Sequence, residues 1–206
     1  MYEEIFEKTT FPQKCVEVCQ NFAQNINFDY FYKRNQYNEA AIRKQQLCGK
    51  LAEFLVYLKL REYFPNITKP DIKIYTNDKK NWEPDLKIGN FKLHVKSMER
   101  QTVVKYKYPL SWMFQYKNKS IDTEKGKDLE VFTSESHKDI LCFVGININE
   151  SSGRILAMVP LATIVKNNLF SDPKKESLKG IKKVVLYQDL KEKGLVSKIP
   201  VGLFNE

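Results

Sequence analysis

The chain has little of several things that would mark a specialised protein class. Its four cysteines, Cys15, Cys19, Cys48 and Cys142, are too few and too scattered among 206 residues for a disulfide scaffold. Cys15 and Cys19 stand four apart on a segment that reads as a helix, and no second cysteine pair or nearby histidine completes a tetrahedral zinc site. No stretch approaches the roughly 20 apolar residues that cross a bilayer, and the opening MYEEIFEKTT is acidic without an apolar run. A soluble cytoplasmic protein with no membrane partner is therefore expected. A glycine-rich phosphate loop and a serine-nucleophile motif are also missing, which argues against nucleotide-driven and esterase chemistry and for the absence of a nucleotide cofactor. No internal repeat is apparent.

Acidic residues are in deficit as well. Asp plus Glu number 25 against 34 Lys plus Arg, so the formal charge is 34 − 25 = +9. That balance favours polyanionic partners, nucleic acid foremost. With 42% hydrophobic and 13% aromatic residues, the chain has ample material for a core, and its length fits one domain over 1–206.

Apolar spacing predicts a helix beginning at Pro12 and running toward the aromatic cluster at 28–32. A stronger one is predicted over 38–64, where Ala41, Leu47, Leu51, Phe54, Leu55 and Leu58 recur at three- and four-residue steps before Pro65. Gly49 is its weak point. Ile72 and Ile74 alternate as in a strand, a second strand begins at 83–86, Gly89-Asn90 makes a tight turn, and 91–96 forms the returning strand. Beyond a long connection over 106–127, with a short helix near 111–116, come strands at 140–148 and 154–159. A helix follows from Pro160 to 169, then a short strand at 184–187 and an alternating apolar tail at 199–203. This order predicts an α/β (α+β) domain with a central mixed β-sheet flanked by helices.

Chemistry concentrates on the hairpin Trp82-Glu83-Pro84-Asp85-Leu86-Lys87-Ile88-Gly89-Asn90-Phe91-Lys92-Leu93-His94-Val95-Lys96-Ser97. Asp85 lies near the start of one strand, while His94 and Lys96, two apart on the next, project from one face. A hard divalent metal takes oxygen ligands and can polarise a phosphate and generate hydroxide. A lysine beside it can orient the attacking water or neutralise the phosphate.

These residues resemble the motifs of the PD-(D/E)xK nuclease superfamily, in particular small type II restriction endonucleases. Pro84-Asp85 matches the PD, and His94-Val95-Lys96 stands where the family usually has acidic-x-Lys. The motifs cover about fifteen residues, and the order of a long helix, hairpin, strands and helix is similar to the family's core. The resemblance implies a restriction-endonuclease-like fold with Mg²⁺ as cofactor, Mn²⁺ being an alternative. It also implies Asp85 as central metal ligand, Val95 as carbonyl ligand, Lys96 as catalytic lysine and Glu53 on the long helix as auxiliary acid. His94 departs from the pattern, since imidazole suits manganese better than magnesium. Either His94 is a ligand, or Glu53 takes the second carboxylate role, or the site has decayed.

The region 103–127 interleaves lysines with aromatics and is the candidate DNA-contacting loop. There Lys105, Lys107, Lys117 and Lys119 can meet phosphates, and Ser111, Gln115 and Asn118 can reach bases or sugars, with Trp112 among the aromatics. The alternative is that those aromatics pack a flap onto the core. Arg43 and Lys44 on the long helix offer another DNA contact. The expected function is sequence-specific cleavage of double-stranded DNA, leaving 5′-phosphate ends, by a homodimer whose twofold axis matches a symmetric target. The rivals are a structure-specific repair or recombination nuclease and a nonenzymatic DNA-binding protein on a nuclease-like scaffold.

Overall fold

The computed structural model describes residues 9–32, 36–75, 84–107, 109–115 and 137–196. In chain order the elements are β1 (Thr9–Thr10), α1 (Gln13–Gln24), α2 (Asp29–Tyr32), α3 (Glu39–Leu60), β2 (Leu86–Ile88), β3 (Phe91–Glu99), α4 (Arg100–Tyr106) and β4 (Ser111–Gln115). They continue with β5 (Asp139–Asn147), β6 (Ser152–Pro160), α5 (Leu161–Lys166), β7 (Lys182–Leu186) and α6 (Tyr187–Glu192). The protein is mixed α/β.

Its main sheet has five strands in the order β1-β6-β5-β3-β2. β3 and β5 run parallel, and the other neighbours are antiparallel, so the sheet is mixed. Strand alternation divides the core between the two faces. Leu93, Ile140, Cys142, Val144 and Ile146 join Leu51, Ala52, Leu55 and Val56 of α3 and Cys15, Val16 and Cys19 of α1 in one cluster. Leu141 and Phe143 join Trp112 and Phe114 of β4, Leu161 and Ile164 of α5, and Leu190 of α6 in the other. Helices α1 and α3 thus cover one face, and the β4–β7 ribbon with α5 and α6 covers the second.

The long helix forms where apolar spacing predicts it. Asn38 caps it, its side-chain oxygen accepting the Ala41 N–H at 3.0 Å, which satisfies one of the amides the first turn leaves unpaired. It runs unbroken through Gly49. At the hairpin, Gly89 takes φ +53°, a conformation that glycine adopts without the steric cost a side chain brings.

Four expectations need correction. The helix from Pro12 is split into α1 and α2 by the irregular residues 25–28. Ile72 and Ile74 form no strand and are 46% and 37% exposed. The position beside β2 is taken by Thr68, whose N–H donates to Lys87 O at 3.0 Å and whose hydroxyl oxygen accepts Lys87 N–H at 2.8 Å. Residues 111–115 are a strand instead of a helix, because burial alternates with period two: Trp112 and Phe114 inward, Met113 outward, with Trp112 paired to Val185. Helix α5 ends at Lys166, and Asn168 at φ +53° turns the chain away. The tail at 199–203 lies outside the described residues.

Candidate active site at the end of the hairpin

Hydrogen-bond parity explains what Pro84-Asp85 does. Lys92 N–H is turned toward the β5 side, donating to Lys138 O at 2.8 Å. Alternation along β3 therefore turns the peptides of Leu93 and Val95 toward β2. Leu86 pairs with Leu93 in the last rung of the β2–β3 ladder, and Pro84 and Asp85 lie just outside the strand. Proline has no N–H to give to a continuing ladder. The Val95 N–H, which a continuing ladder would give to a backbone carbonyl, is accepted instead by the Asp85 carboxylate through Oδ2 at 2.7 Å. The aspartate is thereby fixed at the edge of β3, just past the end of β2.

Cys142, beside Val95 in the β3–β5 register, has its thiol pushed above the usual range by burial and then by the negative charge of Asp85. All four cysteines are buried and unbridged. Burial pushes the Cys48 thiol up to about 12.

His94 and Lys96 lie on the face opposite α3, as their alternation with Leu93 and Val95 requires. The Lys96 ammonium stands 4.8 Å from the centre of the Phe114 ring, a cation–π contact that ties β3 to β4. His94 Nε2 lies 2.7 Å from Asp139 Oδ1 at the start of β5. Glu53 belongs to α3 on the other face, where its two oxygens receive Lys50 Nζ at 2.9 and 2.6 Å. The sheet thus lies between Glu53 and the His94–Lys96 pair.

The divalent metal implied by the resemblance can be tested against these donors. Among the described residues, no three His, Cys, Asp or Glu side chains cluster as a metal cage. Magnesium does not require one, since it keeps several waters and is commonly held by one or two carboxylates plus substrate phosphate. The Asp85 carboxylate and the Val95 carbonyl, both hard oxygen donors turned to the same strand edge, fit that mode.

The expected DNA contacts divide. Lys105 and Lys107 are exposed at the end of α4, Lys105 over Tyr106 at 5.2 Å. Trp112 is fully buried and its indole Nε1–H donates to Val144 O at 3.1 Å, so the flap alternative describes it and direct DNA contact does not. Ser111 is half-buried, its N–H directed at Met98 Sδ. Arg43 lies over the Phe28 ring at 4.7 Å and bonds to the end of α1 at Ala23 O and Gln24 O. Lys44 pairs with Glu99 at 3.1 Å and also reaches Gln101. The Gln115 side chain and Lys117, Asn118 and Lys119 lie outside the described residues.

Two groups escaped the sequence reading. Asp139 is noticeable only as the carboxylate that opens the most apolar strand, and its partner is reached through parallel pairing. Glu99 ends β3 and caps α4, its carboxylate accepting the N–H groups of Gln101 and Thr102 at 2.9 and 2.8 Å. Burial pushes that carboxyl up, but the Gln101, Thr102 and Lys44 hydrogen bonds outweigh it and hold the group below the usual glutamate range. Among the described residues, no helix is long and apolar enough to cross a membrane. Comparison with protein-family models, curated proteins and solved structures finds no match for this chain.

Proposed function

We propose that the protein is a metal-dependent endonuclease of double-stranded DNA with a restriction-endonuclease-like core. The observation that carries the reading is the adjacency of Pro84-Asp85 and His94-Val95-Lys96, set by the hairpin register and the Asp85–Val95 hydrogen bond. Magnesium, or manganese, when bound would supply phosphate polarisation and a water acidic enough to attack at neutral pH. Asp85 and the Val95 carbonyl would hold it. Lys96 would place its ammonium beside the phosphate, offsetting the charge that develops on the non-bridging oxygens and orienting the attacking water. Glu53 is left out of the catalytic group because its carboxylate is committed to Lys50 on the opposite face.

Lys105 and Lys107, with the wider excess of nine positive charges, would bind the phosphate backbone; such contacts give salt-sensitive affinity without sequence choice. Sequence specificity and cutting as a homodimer belong to the same proposal, since two subunits about a twofold axis match the two strands of a symmetric target. Cleavage by the Asp85→Ala protein at the wild-type rate would sink the assignment. Mixed-sequence duplex set against branched and mismatched duplexes separates a restriction enzyme from a nuclease that reads DNA shape.

One observation favours a second reading. β3 carries His94 where the family pattern has an acidic ligand, and a site short of that carboxylate suits a noncatalytic DNA-binding protein on the same scaffold. That protein would show salt-sensitive binding without cleavage in any metal.

A further inference from the structure

We infer that Asp139 is a positioning residue for His94, and that the pair supplies the metal-site function which the sequence pattern of β3 lacks. The inference deepens the endonuclease reading and rests on its divalent metal. It starts from register: β3 and β5 run parallel with Lys92 beside Asp139 and His94 beside Leu141. Asp139 and His94 therefore share a face, two residues apart along neighbouring strands, within side-chain reach.

The contact is close and sheltered. Nε2 of His94 and Oδ1 of Asp139 are 2.7 Å apart, with side chains 24% and 16% exposed. A carboxylate accepts only, so Nε2 carries the proton, and in the neutral ring Nδ1 keeps the lone pair. Nδ1 is the nitrogen nearer the strand backbone, and Asp85 Oδ2 lies 2.7 Å from the backbone N of Val95, the next residue along β3. Histidines that ligate metals commonly donate the other ring N–H to a carboxylate, which fixes tautomer and ring orientation. Asp139 stands in that relation to His94. Its charge also places a carboxylate near the site from β5, although β3 has none at position 94.

Two histidines in the chain make the test direct. Ring-proton NMR spectra of the full chain, assigned with a His137→Gln variant, are recorded while Mn²⁺ is added, because the paramagnetic ion broadens only nearby protons. In the wild type the His94 signals should broaden before those of His137. Asp139→Asn, nearly identical in shape, should require ten- to a hundredfold more Mn²⁺ for the same broadening, the usual cost of losing such a partner. Asp139→Glu, which restores the carboxylate, should recover part of that loss, and the amide spectrum checks that each variant is folded. Wild-type His94 signals that stay sharp, or a folded Asp139→Asn protein within twofold of the wild type, would overturn the inference. DNA cleavage is scored separately: Mn²⁺ at His94 without cleavage would remove the endonuclease reading and leave the Asp139 assignment standing, whereas metal-dependent cleavage with no Mn²⁺ effect at His94 would do the reverse.

Discussion

Buried charge on this protein is paired wherever the described residues show it, and the pairing decides which residues are available for chemistry. Glu53 shows the consequence. Both of its oxygens receive Lys50, and the two side chains are 11% and 12% exposed, so neither charge has much water to fall back on. Removing one partner of such a pair leaves the other desolvated and costs about 3 kcal/mol. Glu53→Gln should therefore lower the urea-unfolding free energy by about that amount, while the folded variant cleaves DNA within a few-fold of the wild type. Unchanged stability with cleavage abolished would instead return Glu53 to the metal. Sequence reading identified this residue as a candidate ligand because a helical glutamate is common in the nuclease pattern. Lys50, three residues earlier on the same helix, was the available signal for the alternative.

At the scale of elements, Glu99 joins three of them: it terminates β3, caps α4 and holds Lys44 of α3. Glu99→Gln removes the charge from all of these contacts and should cost about 1 kcal/mol, the usual worth of a cap. Its pH dependence has a definite sign. The folded carboxyl titrates below its unfolded value, so its contribution is fully present above about pH 4.3 and fades as pH falls through the folded value. The stability gap between wild type and Glu99→Gln, measured by urea unfolding, should be constant near neutrality and narrow in acid. A gap that widens in acid would contradict the hydrogen-bond assignment.

Helix α3 yields a second prediction of this kind. A Cβ placed at Gly49 meets no heavy atom within 4 Å, and the residue sits mid-helix. Gly49→Ala should raise stability by about 1 kcal/mol, seen as a thermal midpoint about 2–4 °C higher. A lower midpoint would show that the glycine is there for close packing.

Local signals account for the elements that could be read in advance. Repeats of three and four residues marked α3, and Gly89-Asn90 between alternating segments marked the β2–β3 hairpin. β4 was misread because five residues rich in aromatics are too short to separate helical from strand period, and its pairing with β7 is distant in sequence. The hairpin that carries Asp85, His94 and Lys96 was legible because a tight turn fixes register locally. Asp139 was not, because only the parallel β3–β5 pairing brings it to His94.

For the whole molecule, the two core clusters share one sheet, and the candidate site stands at the sheet edge where the hairpin ladder stops. There the Val95 N–H holds the Asp85 carboxylate in place. This contact separates function from stability: Asp85→Asn keeps an oxygen to accept the Val95 N–H and should fold, while losing the charge that holds a metal. The most direct measurement incubates purified wild-type and Asp85→Asn proteins with long, unmodified, mixed-sequence duplex DNA in magnesium, manganese or chelator, and resolves the products on a gel. The account predicts discrete fragments with wild-type protein and metal, and intact DNA with chelator or with Asp85→Asn. Intact DNA with wild-type protein in both metals, or the same fragments from Asp85→Asn, would contradict it.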